Sequence, residues 1–157
     1  MKQNRPSFIY LSSLVDFLKL SGEVFTPLSQ KKIDSLQRLY DINLPIAYIE
    51  FLTVMGKGAS RFMRGSSVFY PELLELKDWA KELTDENNMS ELPKNAFTFW
   101  MHQGYQMAYF LVDDSPNPTV YYFSEGNKNN DWIEVSSFTE FLEMQLIFSG
   151  LKSNIKS

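Results

Sequence analysis

AFTFWMHQGYQMAYFLVDDSPNPTVYYFSEGNKNNDWIEV, residues 96–135, contains four runs of aromatic and β-branched residues separated by turn residues. Such runs predict strands, here Ala96–His102, Gln106–Asp113, Thr119–Ser124 and Trp132–Val135. Ser115-Pro116-Asn117-Pro118 predicts a hairpin loop, since its prolines cannot donate ladder hydrogen bonds, and Glu125–Asp131 predicts a longer turn. Consecutive strands joined by short turns predict an antiparallel meander.

The region before this sheet carries helical patterns. Leu11, Leu14, Val15 and Leu18 repeat at helical spacing within Phe8–Leu20, and no small-residue cleavage site follows them. We therefore expect a core helix there rather than a signal peptide. The next two helices are predicted to begin near Thr26-Pro27 and at Leu44-Pro45, where proline suits the first helical position.

Three further features complete the predicted elements. Gly56 and Gly58 are expected to end the preceding helix in the left-handed conformation that favours glycine. Arg61–Pro71 could hold one or two short strands, and Glu72–Asn88 reads as a loop that enters a helix. Ser137-Phe138-Thr139-Glu140 has the spacing of a capping box, so a closing helix begins there and ends at Gly150.

This order of elements predicts an α+β fold in a single domain, with N-terminal helices, an antiparallel sheet of about five or six strands and a C-terminal helix. With 157 residues, 44% of them apolar, the chain can bury a core of its own. Residues 1–22 are expected to be a helix packed on the domain of residues 23–150, and residues 151–157 to be a frayed tail.

Composition excludes several classes of function. Cysteine is absent, which rules out disulfides, thiol catalysis and thiolate metal sites, and is compatible with the reducing cytoplasm, where we expect the protein. No segment reads as membrane-spanning. The net charge is −4: residues 1–64 carry +4, residues 65–103 carry −4, residues 104–150 carry −6 and residues 151–157 carry +2. Nucleic acid is therefore not expected as a direct ligand, whereas the acidic half could steer a basic protein partner.

The aromatic strands and their acidic turns are the predicted partner-binding surface. By alternation Trp100 and His102 share a strand face, and Tyr122 of a neighbouring strand could join them. Aromatic residues are enriched at protein-binding hot spots, although they also make good core residues. The full candidate set is Trp100, His102, Tyr105, Asp113, Asp114, Tyr122, Glu125, Asp131 and Trp132.

Catalytic readings find little support in the same residues. His102 is the only histidine, so it cannot build the usual zinc site, and a structural hydrogen bond to a neighbouring loop explains it better than a lone general base. Asp113 and Asp114 point to opposite strand faces and suit turn chemistry. No catalytic, cofactor-binding or metal-binding residue is predicted. Lys57, Arg61 and Arg64 form a basic group that is either solvated or contacts an acidic patch on a partner.

Three segments taken in order resemble the SUKH superfamily. The first is Ile33-x-x-Leu36 followed by Leu44-Pro45-x-x-Tyr48-x-x-Phe51-Leu52 and Gly56; the second is Phe99–Gln106, continued by Pro118-x-Val120-Tyr121-Tyr122; the third is Ser137-Phe138-x-x-Phe141-Leu142. They resemble the opening helices, central strands and closing helix of that group over roughly residues 26–148, which makes residues 23–150 a SUKH-like domain.

The resemblance implies a non-catalytic, protein-binding role. The superfamily joins bacterial toxin-immunity proteins with fungal regulators of cell-wall assembly and glucan synthesis. The first role implies a cognate toxin, often a nuclease, that is neutralised by direct binding. The second implies regulation of the cell wall, and an enzyme acting on a carbohydrate or phosphate is the rival from another class. Whether the molecule is a monomer or a homodimer is left open.

Overall fold

The computed structural model describes residues 8–126 and 131–153. Its helices are α1 (Ser12–Leu20), α2 (Gln30–Tyr40), α3 (Ile46–Met55), α4 (Leu76–Glu86) and α5 (Phe138–Phe148), with a 3₁₀ turn at Glu72–Glu75. Its strands are β1 (Phe25–Thr26), β2 (Gly58–Ala59), β3 (Ser66–Ser67), β4 (Ala96–His102), β5 (Gln106–Leu111), β6 (Val120–Ser124) and β7 (Ile133–Val135). The described residues leave out residues 1–7 of the predicted N-terminal segment, residues 127–130 of the predicted longer turn and residues 154–157 of the predicted tail.

The predicted α+β class and the antiparallel meander are confirmed. β3 to β7 form one sheet in chain order, with every neighbouring pair antiparallel, and β1 pairs with β2 in a separate two-stranded sheet. Helices lie at both ends of the described chain. A short strand forms within the predicted Arg61–Pro71 segment, at Ser66–Ser67, where it pairs with Met101 and His102 at one edge of β4.

The start of α2 differs from the sequence prediction. Thr26 belongs to β1, where it pairs with Gly58, so the helix begins at Gln30 instead of at Thr26-Pro27. Ser29 is the N-cap, and its hydroxyl accepts a hydrogen bond from the backbone N–H of Lys32 at 3.3 Å. The first helix is also shorter than predicted, since it begins at Ser12 and not at Phe8.

Gly56 ends α3 for a reason other than the predicted one. Its φ is −60°, so it is not left-handed. The constraint is space, because a Cβ at this position would lie 2.6 Å from the Leu28 Cβ and 2.6 Å from the Leu52 carbonyl oxygen. Glycine is needed here so that the segment before α2 can pack against the end of α3.

The core is built around the fully buried ring of Tyr48 in α3. Ring centroids within 5.3–6.3 Å of it belong to five phenylalanines of α3, α5 and the central strands: Phe51, Phe97, Phe99, Phe110 and Phe138. On the opposite face of the sheet Met107 and Phe123 are also fully buried. The central strands are therefore covered on both sides, which is one of the two arrangements that the apolar Met107–Val112 run allowed.

Two buried carboxylates hold the irregular segments of the chain. Glu50 of α3 accepts hydrogen bonds from the backbone N–H groups of Ile9, Tyr10 and Leu11, at 3.0–3.2 Å, just before α1. Glu23 accepts from the N–H groups of Arg61 and Phe62, at 2.7 and 2.9 Å, and forms an ion pair with the Arg61 guanidinium at 3.0 Å. Without such partners the buried N–H groups would be costly, so each carboxylate fixes a loop that has no ladder of its own.

Substitution Glu23→Gln is expected to destabilise the fold in a pH-dependent way. Burial raises the pKa of Glu23, but hydrogen bonds from Arg61 and Phe62 and the Arg61 charge outweigh it and lower the pKa overall. The stabilisation is present above the pKa of the unfolded chain, about 4.3, and is lost as the pH falls through the lower pKa of the folded state. Urea unfolding near neutral pH should show a loss of about 1–3 kcal/mol that shrinks in acid. The exposed Glu143→Gln is the control, and a loss independent of pH would contradict this account.

Substitution Gly56→Ala is expected to destabilise the fold by about 1–3 kcal/mol, as overpacking does. The new methyl group must displace either the Leu28 side chain or the α3 backbone. The midpoint of thermal unfolding measures this, with alanine at the neighbouring exposed Lys57 as the control. Equal midpoints for the two variants would show that the segment at Leu28 can move away freely.

Candidate functional site

A cavity of about 290 Å³ lies between α5 and the His102 end of the central sheet. We call it the α5 cavity. Met63, Arg64 and Ser66 line it from the segment around β3; Trp100, His102, Tyr105, Gln106 and Tyr122 line it from the sheet; Phe141, Met144, Gln145, Phe148 and Ser149 line it from α5 and its end. Its volume is near the lower limit for ligand pockets, about 300 Å³, so it suits one side chain or a small molecule.

A β-bulge in β4 determines which side chains face this cavity. The pairing register of β4 with β5 shifts between Thr98 and Trp100, which leaves Phe99 as the extra residue. As a result Phe99 and Trp100, although adjacent in sequence, both approach Phe141 of α5, each with a centroid distance of 5.3 Å. The aromatic core and the cavity wall therefore share one face of the sheet.

Four of the predicted site residues converge on the α5 cavity. The rings of Trp100 and His102 are nearly parallel, at an interplanar angle of 7° and a centroid distance of 6.0 Å. Tyr122 lies 6.2 Å from Trp100, and Tyr105 lies 6.3 Å from His102. The shared face expected from strand alternation thus exists, with Tyr122 on it.

The polar groups of the cavity are only partly satisfied. The Nδ1 atom of His102 is 3.0 Å from the Ser66 hydroxyl, which is the structural contact that the sequence favoured for this histidine. Trp100 is 3% exposed, and its indole Nε1 has no hydrogen-bond partner. Gln145 is 5% exposed, and its side-chain amide makes no hydrogen bond with the described part of the chain. Gln106 donates to the Tyr122 hydroxyl at 3.4 Å.

The predicted acidic residues that the structure describes lie outside the lining of this cavity. Asp113 and Asp114 follow the far end of β5, where the Asp113 carboxylate accepts from the N–H of Ser115 within the turn. Glu125 accepts from the Asn87 side chain at 2.9 Å, at the end of α4. Among the described residues no carboxylate lines the cavity, and its charged lining residue is Arg64. The length of β5 carries Asp113 and Asp114 to the opposite end of the sheet.

Trp132 and Asp131 also lie away from the α5 cavity. The Trp132 ring contacts Tyr109 at 4.9 Å and Phe123 at 5.6 Å, and these residues alternate to the face opposite Trp100. Asp131 is exposed and directly precedes Trp132. Four of the nine candidates therefore line the α5 cavity. The other five lie at the ends of the sheet or on the sheet face opposite Trp100.

The titratable residues that a catalytic reading would need each have a different hydrogen-bond partner. His102 contacts Ser66, Asp113 lies at the other end of the sheet, and Glu125 is bound to Asn87. Within residues 8–126 and 131–153, no group of three histidine, cysteine or acidic side chains is placed to hold a metal ion. Across the same ranges no helix is long and apolar enough to cross a bilayer.

The α5 side of the cavity was missed from sequence. Phe138, Phe141, Leu142 and Leu146 form a buried apolar stripe on α5. The cavity is lined by a second stripe, Phe141, Met144, Gln145 and Phe148, at i, i+3, i+4 and i+7. A second apolar stripe ending in an exposed phenylalanine was a detectable signal, whereas the contributions of Ser66 and Arg64 depend on long-range packing.

A second cavity, of about 460 Å³, lies beside α4 and the start of β4. Lys77, Lys81 and Lys94 line it together with Asp78 and Glu91. All five side chains are exposed and their charges are mixed. The charged part of its lining is therefore open to solvent.

Comparison with known proteins gives one match. The model of the SUKH_6 family, described as SMI1-KNR4 cell-wall, matches residues 30–142. This span runs from the first residue of α2 into α5 and includes the whole central sheet. No curated protein and no solved structure matches the chain significantly.

The hydrogen bond between His102 and Ser66 is expected to stabilise the edge of the sheet next to the cavity. It joins β3 to β4, so replacing either residue by alanine removes the same contact. A double-mutant cycle on the free energy of unfolding should give a coupling of about 0.5–1.5 kcal/mol. The cycle of His102→Ala with Ser67→Ala is the control, and equal couplings in the two cycles would contradict a specific role for Ser66.

Proposed function

Since this chain belongs to the SMI1-KNR4 cell-wall family of the SUKH superfamily, we propose that it works by binding another protein through the rim of the α5 cavity. The observation that carries this proposal is the pair of exposed aromatic side chains at that rim. Phe148 of α5 is 72% exposed and Tyr105 of the β4–β5 turn is 38% exposed, and both line the cavity. Large aromatic residues next to a pocket are the usual hot spots of protein interfaces.

The backbone at these two residues is held by hydrogen bonds, so both side chains can bind a partner without rearrangement of the fold. Tyr105 lies in the short turn between two fully paired strands, and its carbonyl oxygen accepts from the N–H of Glu125 at 2.7 Å. Phe148 is the last residue of α5, whose end is held by the hydroxyl of Ser149 accepting from the N–H of Met63 at 2.9 Å. A preorganised surface loses little conformational entropy on binding, which favours affinity.

The specific role we propose is neutralisation of a cognate toxin in the cytoplasm of a bacterium. Bacterial members of the superfamily bind toxins, often nucleases, and a nuclease that binds a phosphate backbone needs a basic surface. Residues 65–150 carry a net charge of −10, and this acidic region would steer a basic domain toward this chain over long range. An immunity protein needs a shaped and charged surface and no catalytic group, in keeping with the different hydrogen-bond partners of His102, Asp113 and Glu125.

The second candidate is a regulator of cell-wall assembly that also acts by binding a protein. The description of the matching family favours it. The two roles differ in their partner: the first requires a toxin whose activity is blocked, and the second requires a component of cell-wall synthesis whose activity persists. An enzyme acting on carbohydrate or phosphate has no observation in its favour, because its candidate side chains are dispersed.

The test is binding to, and protection against, the product of the adjacent gene. Co-expression with that product should rescue growth and yield a complex on co-purification. Phe148→Ala and Tyr105→Ala should each weaken the complex by about 2 kcal/mol, roughly thirtyfold, as hot-spot truncations do. Both residues are exposed, so the folded state should persist, which circular dichroism checks.

Leu39→Ala is the matched control, because Leu39 is 66% exposed on α2 and lies outside the α5 cavity. Its affinity should stay near that of the unmodified chain. If the control weakens the complex as much as the rim variants, the surface is wrongly assigned. Binding without protection would overturn the immunity role and favour the regulatory one. Failure to bind a toxin-like neighbour would overturn the immunity role directly.

A further inference from the structure

The first half of β4 has one unpaired edge. β5 pairs with β4 from end to end, whereas β3 pairs only with the last two residues of β4 at the other edge. Beyond Ser67 the chain leaves this edge, since the N–H of Tyr70 donates to the carbonyl oxygen of Gly56 at the end of α3. Within the described part of the chain, no strand therefore lies beside residues 96–98 on that side.

The backbone of Thr98 points its hydrogen-bonding groups toward this unpaired edge. The carbonyl oxygen of Asn95 accepts from the N–H of Val112 at 2.8 Å, and hydrogen bonding alternates along an antiparallel pair. Phe97 therefore exchanges hydrogen bonds with Phe110, whereas the N–H and C=O of Thr98 point away from β5. Among the described residues nothing bonds these two groups or the Thr98 hydroxyl.

These unpaired groups lie beside a cavity. Thr98 is only 9% exposed, and residues 94–98 line, in succession, the cavity of about 460 Å³ beside α4. We call it the α4 cavity. At about 3.3 Å per residue, this length of β4 matches about five residues of a second strand. Recessed donors and acceptors at strand spacing favour a ligand that carries both at the same spacing, as an extended peptide backbone does.

One wall of the α4 cavity is apolar. The Tyr40 ring, at the end of α2, meets Phe97 edge-on at a centroid distance of 5.6 Å, and Ile42 lines the cavity next to it. Phe97 faces the core side of the sheet, where it also contacts Tyr48. Side chains of an added strand that point to this side would therefore meet aromatic and aliphatic groups.

The other wall is provided by α4. Since α3 and α5 pack on the core face of the sheet, α4, which also packs on β4, covers the opposite face, to which Thr98 alternates. Lys77 and Lys81, one helical turn apart on α4, line the cavity. The lining as a whole has three lysines against two carboxylates, those of Asp78 and Glu91. A side chain directed toward α4 would therefore meet an excess of positive charge.

We infer that the α4 cavity binds an extended segment of a partner protein as an added strand beside β4, antiparallel to it and in line with β3. One residue of the segment pairs with Thr98 through two backbone hydrogen bonds and directs a carboxylate toward Lys77 and Lys81. The residues on either side of it direct apolar side chains toward Tyr40 and Ile42. The segment that fits best thus alternates apolar, acidic and apolar residues.

This site goes beyond the proposed function. Among the described residues, the linings of the α4 and α5 cavities have no member in common. The α5 rim presents exposed aromatic side chains, whereas the α4 cavity presents an unpaired strand edge, so the two sites recognise different features of a partner.

Amide hydrogen exchange of the free ¹⁵N-labelled chain tests the open edge. The N–H of Thr98 should exchange roughly a hundredfold faster than that of Phe97, which is paired with β5. Equal protection of the two amides would show that the edge is already covered and would overturn the inference. Slower exchange of Thr98 at higher protein concentration would assign the edge to a second copy of this chain and would equally contradict a partner segment.

Titration with acetyl-Thr-Val-Glu-Val-Thr-amide tests strand addition. The peptide should shift the Thr98 amide signal and slow its exchange. Methylation of the glutamate backbone nitrogen removes the N–H that faces β4 and should weaken binding about tenfold. Methylation of the following valine nitrogen, whose N–H faces away from β4, is the matched control and should leave the affinity nearly unchanged. An unmoved Thr98 signal, or equal losses for the two methylated peptides, would overturn the inference.

A double-mutant cycle tests the acidic position. Lys81→Gln should weaken the peptide by about threefold, as expected of an exposed cation, while Lys31→Gln on α2 should have no effect. With glutamine in place of the peptide's glutamate, Lys81→Gln should also have no effect. A loss of equal size for both peptides would contradict the contact between the carboxylate and α4.

Phe148→Ala separates this site from the proposed function. The variant alters the α5 rim and should bind the peptide as the unmodified chain does. A chain that binds the peptide but not the adjacent gene product keeps the strand-addition site and loses the proposed function. A chain whose Thr98 amide is already protected, but which binds that product through Phe148, loses only the inference drawn from the α4 cavity.

Discussion

The bulge at Phe99 is the constraint on which both the core and the candidate site depend. In a regular strand, Phe97 and Phe99 would face one side and Trp100 and His102 the other. The extra residue places Phe97, Phe99, Trp100 and His102 on the same side, so α5 packs on Phe99 and also forms the wall opposite Trp100. Without the extra residue, the aromatic side chains of β4 would be divided between the two faces of the sheet. With it, one face of β4 supplies both the core and the cavity wall.

The second requirement is that irregular backbone be held beside the cavity. Residues 61–66 form few ladder bonds, yet Arg64 and Ser66 must lie next to His102. Glu23 fixes the start of this segment through the N–H groups of Arg61 and Phe62, and the Ser149 hydroxyl fixes its middle through the N–H of Met63. The position of Arg64 and Ser66 beside the cavity therefore depends on the buried carboxylate of Glu23, about forty residues earlier in the sequence.

Much of the fold could be predicted from local pattern, and the remainder depends on contacts between distant segments. The aromatic runs predicted β4 to β7 in order, with Ala96–His102 correct to the residue, and Ser137 caps α5 by accepting from the N–H of Glu140 as its spacing indicates. Alternation also placed Trp100 with His102. By contrast, a one-residue bulge leaves no signal in the composition. The need for glycine at position 56 comes from its contact with Leu28. The buried roles of Glu23 and Glu50 exist only once residues 61–62 and 9–11 have folded against them. The position of Asp113 likewise follows from the length of β5, which places it at the end of the sheet away from His102.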